Sequence, residues 1–190
     1  MAPAELFRKS SNMKSKSVIK FILGFLAAVG ILILIWARVE GPLRDPHDAL
    51  LDFYEAKDRA EDQLMDPLIL TGHRVVPLLM ENLPNKEMRL RRYAIGFLGN
   101  GGYVEALPIL ERILKDESEI YYFRADALLA IYQISKTRAK ELAPLYVNGQ
   151  ELLGRFAGKI AADKNPVYFK RSYWDAFRHV HERTGNFGEQ

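Results

Sequence analysis

Few side chains in this sequence are placed where they could carry out covalent chemistry. The histidines are His47, His73, His179 and His181. His179 and His181 are two residues apart, so on a helix they point to different faces. Asp175 and His179 are four apart, which suits an ordinary surface pair. Beyond the first twenty residues the serines are Ser118, Ser135 and Ser172, and none lies in a Gly-x-Ser-x-Gly turn. Gly99-Asn100-Gly101-Gly102 follows no strand pattern and precedes no Gly-Lys-Ser/Thr, so it suits a turn between helices rather than a phosphate loop. Carboxylates are scattered over helical faces, and no pair is set apart for acid–base work. The sequence has no cysteine, which removes disulfides, thiolate nucleophiles, zinc–thiolate sites and cysteine acylation. The expectation is no enzyme, no cofactor and no metal.

Residues suited to binding are better represented. Tyr121, Tyr122 and Phe123 form one aromatic cluster, and Tyr168, Phe169, Tyr173, Trp174 and Phe177 form another. Tyr, Trp and Arg are the usual anchors of protein interfaces. Tyr173 and Trp174, with Lys170, Arg171 and Arg178, are therefore the candidate protein-binding residues. The same rings would equally serve core packing and the closing of a helical stack at its end.

The elements that must position these residues read as helices. Asp45-Pro46 has the form of an N-cap with proline in the first turn. Ala49, Leu50, Phe53, Ala56, Ala60 and Leu64 follow at helical spacing, and Asp66-Pro67 restarts a helix by the same device. No extended alternation and no Asn-Gly hairpin occurs, so the fold class is all-α.

Two segments recur. Arg91–Gly99, RRYAIGFLG, aligns with Arg124–Tyr132, RADALLAIY, matching Arg91 to Arg124, Ala94 to Ala127 and Leu98 to Ile131 at a spacing of 33 residues. A second type, VVPLL, ALPIL and LAPLY, surrounds Pro77, Pro108 and Pro144, 31 and 36 residues apart. Two alternating helix types at a period in the low thirties are what stacked helical hairpins require.

Residues 91–134 thereby resemble the HEAT-like repeats of the short type found in phycocyanobilin-lyase-like proteins. The family pattern has Arg and Ala in a first helix, Leu-Gly at its end, and Ala-x-Pro-x-Leu in the second. Arg91, Ala94, Leu98, Gly99, Ala106, Pro108 and Leu110 match it, while Tyr132 stands where the next copy would have glycine. Flanking copies match more loosely, and 173–188 resembles a terminal helix of such domains. The resemblance implies a short α-solenoid. His181-Glu182 resembles one of the His-Glu pairs that hold iron in HEAT-like deoxyhypusine hydroxylases, which need several such pairs.

Ahead of this domain lies a different kind of segment. Phe21 to Ala37 is seventeen residues without a charge, apolar on every face, with Trp36 near its far end. A helix of that composition is a bilayer anchor rather than a core helix. Its Gly24 and Ala28 form a small-xxx-small pair through which a homodimer of anchors could pack. Residues 1–20 carry a net +4, leaving −1 for the rest, so the basic pI near 9.0 belongs to the tail and nucleic-acid binding is not expected. Positive charge ahead of the anchor places the N-terminus in the cytoplasm and the domain outside, on the periplasmic side of the inner membrane in a bacterium. A cleaved signal peptide competes with anchorage, but Ile35 and Ala37 make a poor cleavage site. Within the domain, residues 38–119 carry a net −5 and 120–190 a net +4.

The expected organisation is a basic tail over 1–17, a transmembrane helix over 18–37, a linker over 38–45 and a HEAT-like α-solenoid over 46–190. The expected function is that of a membrane-anchored scaffold or adaptor, holding a protein partner through its repeat surface. An accessory subunit of an enzyme, or a chromophore-handling factor as in the lyase-associated members, is the alternative. A third is headgroup contact through the basic C-terminal end.

Overall fold

The structure, a computed structural model, describes residues 3–39, 41–56, 59–167 and 170–185; for 3–17, 62 and 181–185 it describes the backbone alone. No strand occurs among the described residues, and the protein is all-helical. The chain divides into two compact units, Met1–Leu43 and Arg44–Gln190.

The first unit is one helix, α1 (Pro3–Val39). Its part Val18–Val39, 22 residues with a mean hydropathy of 2.8, is long and apolar enough to cross a membrane. At ~1.5 Å per residue it measures about 33 Å. Most of its large apolar side chains from Val18 to Ile35 are exposed. The helix is closed by chain reversal. Gly41 N–H donates to the Trp36 carbonyl at 3.2 Å, and Leu43 N–H to the Ala37 carbonyl at 2.8 Å. Gly41 lies so close that a Cβ there would sit 2.8 Å from Ala37 Cα.

The second unit begins with α2 (Pro46–Glu55), capped by Asp45, whose carboxylate accepts from the His47 N–H at 2.8 Å. It buries Ala49, Leu50 and Phe53 and stops at Glu55, short of the extent suggested by Ala60 and Leu64. A 3-10 turn at Glu61–Gln63 follows. Then come α3 (Asp66–Thr71), α4 (Val76–Asn82), α5 (Arg91–Gly101), α6 (Leu107–Lys115), α7 (Tyr121–Ile134), α8 (Lys136–Leu142), α9 (Glu151–Ala161) and α10 (Tyr173–Gly185). The helix α7 is central: α5, α6, α8 and α9 all pack against it, while α2 and α10 pack on α3.

The recurring residues have recurring jobs. Pro77 and Pro108 lie in the first turns of α4 and α6, and Pro144 opens the 3-10 turn Ala143–Tyr146, positions where the missing N–H costs no helical bond. Arg91 Nε donates to the Leu83 carbonyl and Arg124 Nε to the Leu114 carbonyl, each at 2.9 Å, so both arginines tie a helix start to the end of the helix before it. Each guanidinium also lies over a ring further along the chain, Arg91 over Phe123 at 5.1 Å and Arg124 over Tyr146 at 5.7 Å. Arg91 is buried and pairs with buried Glu119 at 2.5 Å. Removing one member of such a pair costs roughly 3–5 kcal/mol, because the other stays buried without its counter-charge. Ala94 and Ala127 are both fully buried.

Two local expectations are corrected. The Gly99–Gly102 run is not a loop, because α5 continues through Gly101 and only Gly102, at φ +70°, makes the turn. Its N–H returns to Gly99 and that of Tyr103 to Leu98. Gly99 is needed for proximity instead: a Cβ there would lie 2.5 Å from Ala130 Cα, where α5 crosses α7. Asp66 does not cap its own helix; α3 has no side-chain cap, and the Asp66 carboxylate is turned into the interior.

Candidate functional site

The helix α10 begins with a reciprocal cap. Ser172 N–H donates to Asp175 Oδ2 at 3.0 Å, and Asp175 N–H donates to Ser172 Oγ at 3.2 Å. Two orphan donors of the first turn are thereby satisfied. These Ser172 bonds hold the Asp175 carboxyl below its ordinary range.

Beyond the cap the helix has two faces. Ala176 is fully buried, and Tyr173, Phe177 and Val180 pack half-buried against the core. Trp174 is 65% exposed. Its ring meets Tyr173 edge-on at 5.5 Å and Phe177 edge-on at 5.6 Å, so three aromatic rings form one cluster with the tryptophan outermost. Arg178, exposed one turn on, donates to the Trp174 carbonyl at 3.3 Å and to Asp175 at 3.1 Å. Lys170 is exposed just ahead of the helix. Of the five residues singled out for binding, Trp174 and Arg178 thus lie one turn apart on the exposed side of α10, Tyr173 packs beside Trp174, and Lys170 is exposed ahead of the helix.

Arg171 departs from them. It is buried, with its guanidinium clamped on both oxygens of Asp66, Nε to Oδ1 at 2.5 Å and Nη2 to Oδ2 at 2.8 Å. His179 Nδ1 stands 3.0 Å from the same Nη2, so His179 faces Arg171 rather than Asp175. Asn100 holds the backbone of the same residue at both ends, its amide donating to the Arg171 carbonyl at 2.6 Å and its oxygen accepting from the Arg171 N–H at 3.0 Å. Arg171 therefore mounts the patch instead of belonging to it. Asp66 and Asn100 were hidden in the sequence because each also fits a local role, a helix start and a turn. Their partner lies 105 and 71 residues away.

The other aromatic cluster stays together, the Tyr122 ring meeting Tyr121 edge-on at 5.8 Å and Phe123 at 4.5 Å, but its ends have different partners. Phe123 lies under Arg91, while Tyr121 donates to Glu151 at 2.8 Å. With Arg92, Tyr122, Leu152 and Arg155, the latter two border a shallow groove at the starts of α5, α7 and α9. Arg92 bonds Asp126 at 2.9 Å on this side. Burial pushes the Asp126 carboxyl up to about 6, against the opposing pull of Arg92. Burial, with the bond to Glu61, raises the Tyr93 hydroxyl to about 12.

Among the described residues no group of three or more His, Asp or Glu side chains is placed to hold a metal ion. His73 is paired with Glu105, Nε2 to Oε1 at 2.5 Å, and its ring lies 5.7 Å from that of Tyr103. Tyr168 and Phe169 lie outside the described residues, as do the side chains of His181 and Glu182. In comparisons with known proteins, no family model, curated protein or solved structure matches this chain.

Proposed function

We propose that this protein is a membrane-anchored, non-catalytic adaptor that holds a protein partner through the aromatic surface of α10. The observation that carries the reading is the mounting of Trp174. A large ring is left 65% exposed on a helix whose opposite face is fixed by Ala176 and whose start is held by Arg171. A tryptophan with little freedom left to lose, beside Tyr173, Lys170 and Arg178, is the composition of an interface hot spot.

The body of the adaptor is a short α-solenoid of HEAT-like hairpins. Support comes from the equivalent hydrogen bonds of Arg91 and Arg124, from the shared burial of Ala94 and Ala127, and from side-chain links spaced close to one repeat. Lys86–Asp116, Tyr93–Glu61, Arg92–Asp126 and Tyr121–Glu151 are 30 to 34 residues apart. The anchor is Val18–Val39, with the N-terminus in the cytoplasm and the second unit outside, as the basic residues ahead of it favour.

Cross-linking and affinity capture of the full chain from native membranes tests the main reading. Trp174→Ala should reduce capture of the partner at least tenfold while leaving helical circular dichroism unchanged. Undiminished capture would remove α10 from the interface. Reporter fusions after Gln190 test the orientation, and activity of a reporter that works only inside the cell would reverse it.

A further inference from the structure

The groove bordered by Arg92, Tyr121, Tyr122, Glu151, Leu152 and Arg155 has a volume of about 670 Å³. It lies where α5, α7 and α9 begin, and none of these three helices has a side-chain cap. The positive ends of three helix dipoles therefore meet at one rim. The negative charge of the groove is already engaged. Asp126 accepts from Arg92 at 2.9 Å, and Glu151 accepts from the Tyr121 hydroxyl at 2.8 Å. Glu151 stands one turn ahead of Arg155, where a carboxylate ordinarily pairs with the cation that follows. Turned to Tyr121, it leaves Arg155 exposed, with no carboxylate partner among the described residues. Lys159, one turn further along the same face of α9, is exposed and equally without one. The Tyr122 hydroxyl bonds to no described residue, and Leu152 adds an apolar wall.

We propose that this groove docks an acidic segment of a protein partner, taken in extended form with alternate carboxylates on Arg155 and Lys159. Spacing supports the extended form. Residues four apart rise about 6 Å along a helix, and residues two apart on one side of an extended chain are about 6.6 Å apart. An acid at every second position thus meets the two cations in step, and an apolar residue beyond them reaches Leu152 and the Tyr122 ring. Charge favours a short segment over a nucleic acid. The chain beyond residue 20 carries a net −1, so the excess of positive charge is local to the groove. The site is separate from the Trp174 surface. Arg92, at the groove, and Asn100, which holds Arg171, are about 12 Å apart along α5. The proposal does not depend on which partner docks at Trp174.

Fluorescence anisotropy with the full chain in micelles of an uncharged detergent tests it. The probe is a fluorescein-labelled heptapeptide, Leu-Ser-Glu-Ser-Glu-Ser-Leu, compared with its isomer Leu-Ser-Ser-Glu-Glu-Ser-Leu, in which the glutamates are adjacent. The probe should bind saturably with a Kd below about 1 mM, at least threefold tighter than the isomer. Arg155→Glu should weaken it at least tenfold while leaving helical circular dichroism unchanged, because the side chain is exposed. If that variant loses its helical signal, Arg155→Gln, which removes the charge without reversing it, should still weaken binding at least threefold. Lys115→Glu makes the same charge change on α6, away from the groove, and should leave the Kd within twofold of the parent. Absence of saturation, a preference between the isomers of less than threefold, or a loss at Arg155→Glu no larger than at Lys115→Glu would overturn the proposal.

Discussion

Gly96 and Gly99 lie one turn apart on α5, and the same substitution at each should move stability in opposite directions. An alanine Cβ at Gly99 would lie 2.5 Å from Ala130 Cα and 2.7 Å from Ala130 Cβ. Carbon atoms prefer about 3.5–4.0 Å, so α5 and α7 would have to part by about 1 Å. Gln133 Oε1, also at 2.5 Å, can rotate away, but the α7 backbone cannot. Overpacking of this kind costs roughly 1–3 kcal/mol, against a gain of at most about 1 kcal/mol from helix propensity. A net loss of about 1–2 kcal/mol follows. At Gly96 the nearest atom to a new Cβ is Met65 Sδ at 3.5 Å, an ordinary contact, so only the propensity gain of about 0.5–1 kcal/mol remains. Urea melts of residues 44–190 followed at 222 nm would measure both variants. With a slope of about 2 kcal/mol/M, their midpoints should differ by about 1 M, with Gly96→Ala above the parent and Gly99→Ala below it. A Gly99→Ala midpoint at or above that of the parent would refute the close approach of α5 and α7.

Ala94→Phe and Ala127→Phe should each cost roughly 1–3 kcal/mol or more in the same melts, because both sites are fully buried. Lys115→Ala, which loses only a surface pair with Glu111, should stay within about 0.5 kcal/mol of the parent; three similar midpoints would put the repeat register in error. Asp126 provides a test against pH. Its carboxyl titrates near 6 when folded, above an ordinary value of 3.8, so its contribution is whole below about 3.8 and is lost as pH rises through 6. The loss is about 3 kcal/mol at most. Asp126→Asn cannot titrate, so its stability relative to the parent should rise between pH 4 and pH 7, and a difference independent of pH would rule out the raised carboxyl.

The sequence by itself determined what depends on local pattern. An uncharged apolar run makes a helix long enough to cross a membrane whatever follows it, since the backbone bonds are satisfied within the segment. The 33-residue echo of Arg91 at Arg124 and the recurrence around Pro77 and Pro108 already marked two alternating kinds of helix. Tertiary structure decided what depends on residues far apart in the chain. Arg171 reads locally as one more basic residue beside a tryptophan, and it is buried only because Asp66, 105 residues earlier, is brought to meet it. Gly99 reads as a turn residue and is a crossing point, because helix contacts are set by which backbone lies opposite and not by the residue's own propensity. The interior placement of Asp66 was likewise decided by its distant partner. Burial rewards a side chain for its surroundings, and the surroundings of Arg171 are written in distant segments.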